Sequence, residues 1–92
     1  MKKKLKLVPY ILKRYEPGLD CYFFHNARSG ALWKTDYETG TIISSLDGTR
    51  TKEDIVNLLA SNSPDVSVRD LETHFYNIFD FLLKEGFIGY AN

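Results

Sequence analysis

Cys21, His25 and His74 are among the side chains of this chain whose types suit nucleophilic, acid–base or metal chemistry. Cys21 and His25 stand four residues apart in an aromatic-rich stretch, Cys21-Tyr22-Phe23-Phe24-His25, that reads as a β-strand. Alternation along a strand puts both on one face. Two ligands are too few for a structural zinc site. A cysteine–histidine nucleophile pair needs a third group to orient the base and a pocket to hold a substrate. No third group is evident, and a chain of 92 residues has little room for a large pocket. The single cysteine forms no internal disulfide, and no CxxC or Cys/His cluster points to a metal. Cys21 is therefore expected to be a reduced, half-buried thiol. These residues predict no catalysis, no cofactor and no metal.

The length predicts one domain over residues 1–92, able to bury a core but with a small stability margin. Hydrophobic residues make up 43% and aromatics 14%, which is the composition of a folded chain. A formal net charge of zero gives no overall field to draw in nucleic acid or an anionic membrane. Met1 to Lys4 is basic and Leu5 to Leu12 is fairly apolar, but Lys6, Pro9, Lys13 and Arg14 interrupt the run and no small-residue cleavage site follows. No stretch approaches the ~18 apolar residues of a membrane span. The expectation is a soluble cytoplasmic protein whose Lys2, Lys3 and Lys4 form a solvated, frayed terminus able to attract an acidic partner.

The elements that must position these residues change character at Asp36. Before it, Leu5 and Leu7, then Val8, Tyr10 and Leu12, are apolar at period two with a phase change near Pro9, predicting a strand over about 5–12. Glu16-Pro17-Gly18 is turn chemistry. A second strand follows over about 21–25, a hairpin loop at Asn26–Gly30, and a third strand over about 31–35. Asp36 can cap a helix over about 37–46, which Asp47-Gly48 ends. Thr51 and Asp54 make a capping box for a helix over about 52–61. Ser67 and Asp70 occupy the matching positions of a helix over about 68–85, stopped by Gly86, with Phe87-Ile88 as a short tail packed on the core. In this last helix Val68, Leu71, Phe75, Ile78 and Leu82 form one apolar face, and Phe79, Phe81 and Leu83 make it wider than a small core needs. The predicted class is α+β, a three-stranded antiparallel sheet followed by three helices at winged helix-turn-helix lengths.

The order of these elements, with the run Trp33-Lys34-Thr35-Asp36-Tyr37-Glu38-Thr39-Gly40-Thr41-Ile42-Ile43 into Asp47-Gly48-Thr49-Arg50-Thr51, resembles the PqqD-like family and the wider group of RiPP recognition elements. Glu53 and Ile55 follow where that pattern has them, and Leu82-Leu83-Lys84-Glu85-Gly86-Phe87-Ile88 matches its ending. Thr35 departs from the usual leucine, and Cys21 to His25 is more aromatic than in most members. The resemblance implies a non-catalytic chain, a peptide chaperone that binds the leader of a ribosomally made precursor peptide as an added antiparallel strand beside the third strand. It implies delivery of that precursor to a leader peptidase of lasso-peptide type or to a radical S-adenosylmethionine enzyme. An open edge offers unpaired N–H and C=O groups to any extended peptide, so pockets must supply selectivity.

By topology and spacing, Ala31, Leu32, Trp33 and Lys34 form the pairing edge. Leu71, His74, Phe75, Ile78 and Phe79 floor the groove, and Arg69 and Asp70 sit at its mouth, where their charges can set register. Trp33 is either a groove anchor or core, because sheet geometry decides its face. His74 is either a surface histidine or a hydrogen-bond partner of the peptide. Two other readings stay open. A winged-helix DNA binder fits the helix order, but 68–83 carries Arg69 as its one cation against Asp70, Glu72 and Asp80. A dimerising module would pair the third-strand edge with a second copy.

Overall fold

The computed structural model describes residues 3–91. The chain runs β1 (Lys4–Leu7), β2 (Ile11–Glu16), β3 (Cys21–Asn26), β4 (Leu32–Asp36), α1 (Tyr37–Ser44), β5 (Asp47–Thr51), α2 (Lys52–Asn62), α3 (Val68–Lys84) and β6 (Ile88–Ala91). The strands form two antiparallel three-stranded sheets, ordered β5-β1-β6 and β2-β3-β4. The mixed α+β class with three helices is as the sequence predicts, but the single sheet is not.

The strand expected over 5–12 is two strands in two sheets. Pro9 lies between them and cannot donate a ladder bond. The chain turns there, with Ile11 N–H donating to the Val8 carbonyl at 3.2 Å. The turn shifts the phase, so Ile11 is buried and Leu12 is 60% exposed. Lys4, expected in a frayed terminus, pairs with both Thr51 and Ala91 in β1. Lys3 is exposed with its ammonium 5.1 Å from the Tyr90 ring centre, and Lys2 lies outside the described residues. Asp47-Gly48, expected to end a helix, opens β5 instead. Gly48 has φ of +91°, and the register against β1 slips beside it. Such a bulge is where glycine is favoured. Ile88, expected in a packed tail, begins β6.

The helices start where their caps lie. Asp36 Oδ1 accepts from Thr39 N–H at 2.8 Å. Thr51 Oγ1 accepts from Asp54 N–H at 3.2 Å while Asp54 Oδ2 accepts from Thr51 N–H at 2.9 Å, a reciprocal box. Ser67 Oγ accepts from Asp70 N–H at 3.2 Å. The core between sheets and helices is built on Phe24, Phe79, Phe87, Leu5, Ile55 and Leu82. The Tyr76 hydroxyl donates to Glu53 Oε2 at 3.2 Å and ties α3 to α2. No helix among the described residues is long and apolar enough to cross a membrane.

Helix α1 packs on β3 through a glycine. A methyl group at Gly40 would overlap the Tyr22 ring. Gly40→Ala gains about 1 kcal/mol of helix propensity. The clash, with its cost of about 1–3 kcal/mol, outweighs that gain. The expected result is a lower urea midpoint than wild type.

Candidate functional site

β4 ends its sheet, and among the described residues it pairs with β3 alone. The register Phe24↔Trp33 and His25↔Leu32 continues to Asn26 and Ala31, where Asn26 N–H donates to the Ala31 carbonyl at 2.9 Å. Antiparallel pairs alternate between hydrogen-bonded and non-hydrogen-bonded. The bonded pairs are therefore Asn26–Ala31, Phe24–Trp33 and Tyr22–Thr35. By the same alternation, the backbone N–H and C=O of Leu32 and Lys34 point to the open flank. Side chains alternate the other way. Trp33 and Thr35 are half-buried on the helix side, and Leu32 and Lys34 are exposed on the other.

Between this flank and α3 runs a furrow with two adjoining chambers that share His74. One, of about 370 Å³, is lined by Trp33, His74, Asn77, Ile78 and Phe81. The other, of about 250 Å³, is lined mainly by Asp36, Glu38, Thr39, Ser63, Leu71 and His74. On α3 the sequence supplies this wall separately from the core. His74, Asn77, Ile78 and Phe81 recur at three-to-four spacing, a stripe turned roughly 90° from the buried stripe of Leu71, Phe75, Phe79 and Leu82. Phe81 stays 41% exposed. Its ring stacks on Phe87, centre to centre 6.3 Å.

The structure brings together part of what the sequence nominated. Trp33, His74 and Ile78 meet in the larger chamber, and Leu71, His74 and Phe75 border the smaller. Trp33 packs on the core, its ring centre 5.2 Å from Phe24 and 6.5 Å from Phe87, and it also lines the larger chamber. Phe79, expected on the groove floor, is fully buried. Its helical phase carries it past Phe75 into the core, away from Phe81. Ala31 precedes β4, and its carbonyl is taken by Asn26. Arg69 and Asp70 are exposed at the start of α3 and line neither chamber. The sequence reading missed Asn77, Asp36 and Glu38, and placed Phe81 only as surplus width. Cys21 is buried and His25 half-buried. Among the described residues no three His, Cys, Asp or Glu side chains gather as a metal site requires.

Asn26 holds one end of the furrow in shape. It is 2% exposed, and its Nδ2 donates to the Glu85 carbonyl at the end of α3 at 2.8 Å. Its Oδ1 accepts from the Arg28 and Ser29 amides at 2.9 and 3.2 Å. One side chain thus fixes the β3–β4 hairpin to the helix that forms the opposite wall. Asn26→Ala leaves the Glu85 carbonyl without this partner. It should destabilise the fold by about 1–3 kcal/mol, read as a lower thermal or urea midpoint.

The opposite face of the same sheet also carries apolar side chains. Leu12 and Leu32, 60% and 71% exposed, flank His25 in one cross-strand row. Arg14 and Lys34 lie 5.5 and 6.0 Å from the centre of the Phe23 ring in the next.

No family model and no curated protein sequence matches the chain. Among solved structures, TbiB1 in complex with the TbiA(beta) leader peptide is similar over 95% of this chain and 99% of its own, at 18% identity and a TM-score of 0.74. The two chains share a fold.

Proposed function

We propose that this chain is a RiPP recognition element of the PqqD-like kind, which binds the leader of a precursor peptide and presents it to a processing enzyme without performing chemistry itself. The observation that carries the reading is the open flank of β4, with the Leu32 and Lys34 backbone groups facing an apolar furrow rather than another strand. The likeness in fold to TbiB1, a protein in complex with a leader peptide, supports it.

The peptide joins β4 as an antiparallel fourth strand. Backbone bonds to Leu32 and Lys34 accept any extended segment, and alternate guest side chains enter the chambers and supply selectivity. A micromolar complex needs about 8 kcal/mol of net binding free energy. Burying one large apolar side chain contributes ~1.5–3 kcal/mol, so few anchors are required. The partner enzyme, a leader peptidase or a radical S-adenosylmethionine protein, gains from the raised local concentration of the tethered substrate.

The chain has one tryptophan, and it lines the furrow. Titration with the leader segment of a precursor peptide encoded beside this gene should therefore change Trp33 emission saturably and release measurable heat. Unchanged emission with no heat at peptide concentrations of hundreds of micromolar contradicts the proposal. The DNA-binding reading draws no support from the furrow, where no lysine or arginine among the described residues lines either chamber.

A further inference from the structure

The carboxylates that line the furrow lie at one end of it, and apolar side chains dominate the other. On the strand side, Asp36 and Glu38 lie at one end and Trp33 at the other. On α3, helical phase sets Asp70, which lies outside both chambers, on the same stripe as His74, Asn77 and Phe81, one turn before His74, while Leu71 and Phe75 add apolar surface to the acidic chamber. Among the described residues no lysine or arginine lines either chamber. Arg69, the one lysine or arginine in the first turn of α3, is turned roughly 100° away from Asp70 by the helix.

The furrow therefore has a direction. Resting on the strand-addition reading above, we infer that it selects peptides in which a lysine or arginine precedes, in chain order, a large apolar residue. The order follows from the pairing. A guest antiparallel to β4 runs from the Asp36 end toward the Leu32 end, so its earlier residues meet the carboxylates and its later ones meet Trp33, Ile78 and Phe81. Trp33 and Asp36 are three strand positions apart, about 10 Å. Guest side chains on one face recur every ~7 Å, so the basic residue falls two to four positions before the apolar one. The contributions are unequal. Truncating the apolar anchor should weaken binding about ten- to a hundredfold. Exposed charge pairs are weak singly, so neutralising the three carboxylates should weaken binding about three- to tenfold at low salt. That second effect fades as salt is raised.

The test is panning of a display library of random twelve-residue peptides on wild type, on the Asp36→Asn/Glu38→Gln/Asp70→Asn variant, and on Lys34→Pro. Asparagine caps helices as well as aspartate, so the triple variant keeps the α1 cap. Its unfolding midpoint is measured alongside. The expected result is enrichment on wild type of sequences with a basic residue two to four positions before a large apolar one. The basic preference should vanish on the triple variant, and enrichment should fall sharply on Lys34→Pro. An enriched peptide with its two key residues exchanged should bind more weakly in fluorescence anisotropy. Enrichment of apolar residues with no basic preference, or with the reverse order, overturns the inference and leaves strand addition standing. Undiminished enrichment on Lys34→Pro, or none on wild type, overturns both.

Discussion

Lys34→Pro should abolish most peptide binding while the protein stays folded. The backbone N–H of Lys34 faces the open flank of β4, so proline there removes no bond to β3. Proline is tolerated at such an edge position. The guest, however, meets a ring where it needed a donor, and one of its carbonyls is left unpaired. A lost bond with an unsatisfied partner costs about 1–3 kcal/mol, which is roughly five- to 150-fold in affinity. Lys34→Ala separates backbone from side chain. It keeps the N–H and removes only an exposed ammonium lying 6.0 Å from the Phe23 ring centre, so binding should change by less than about threefold. Thr35→Pro is the opposite control. Its N–H points into the ladder with Tyr22, and the substitution should lower stability whether or not peptide is present. Calorimetric titration and urea unfolding of the three variants check the set. Wild-type affinity in Lys34→Pro would place the peptide somewhere other than this flank.

Phe79→Ala and Phe81→Ala, two residues apart on α3, should fail in different ways. Phe79 is fully buried, and truncating a buried phenylalanine to alanine costs about 3–5 kcal/mol. Domains of this kind are stable by only about 5–15 kcal/mol, so that variant should unfold at far lower urea or not fold at all. Phe81 is 41% exposed and wraps only partly against Phe87. Its truncation should shift stability by about 1 kcal/mol yet remove a furrow wall, weakening peptide binding about tenfold or more. Urea melts and titrations on both variants decide the matter. Equal loss of stability, or unimpaired binding in Phe81→Ala, would contradict the division of α3 into a core stripe and a furrow stripe.

That division marks how far the sequence could be read. Local signals sufficed for the helix starts. Thr51 and Asp54 announce α2 in four residues, and Asp36 and Ser67 do the same for α1 and α3. The excess of aromatic residues late in α3 was also visible. Which of Phe79 and Phe81 is surplus was not, because the answer depends on where the sheets press on the helix. Short strands were lost for a similar reason. KLKL, DGTRT and IGYA have little strand character of their own. They become strands because residues some forty and eighty positions apart in the chain meet as the β5-β1-β6 sheet. The phase change near Pro9 was visible, but not that it marks the passage from one sheet to the other. The acidic end of the furrow is assembled from the β4–α1 junction and the start of α3, and no local pattern joins those segments.

Amide hydrogen exchange along β4, followed by NMR with and without a saturating leader peptide, bears most directly on the claim that a guest strand docks there. The Leu32 and Lys34 amides should exchange quickly in the free protein and slow markedly in the complex. The Trp33 and Thr35 amides, already bonded to β3, should be slow in both. Protection that appears instead on β2, or a β4 whose Leu32 and Lys34 amides exchange equally fast with peptide bound, would contradict the account.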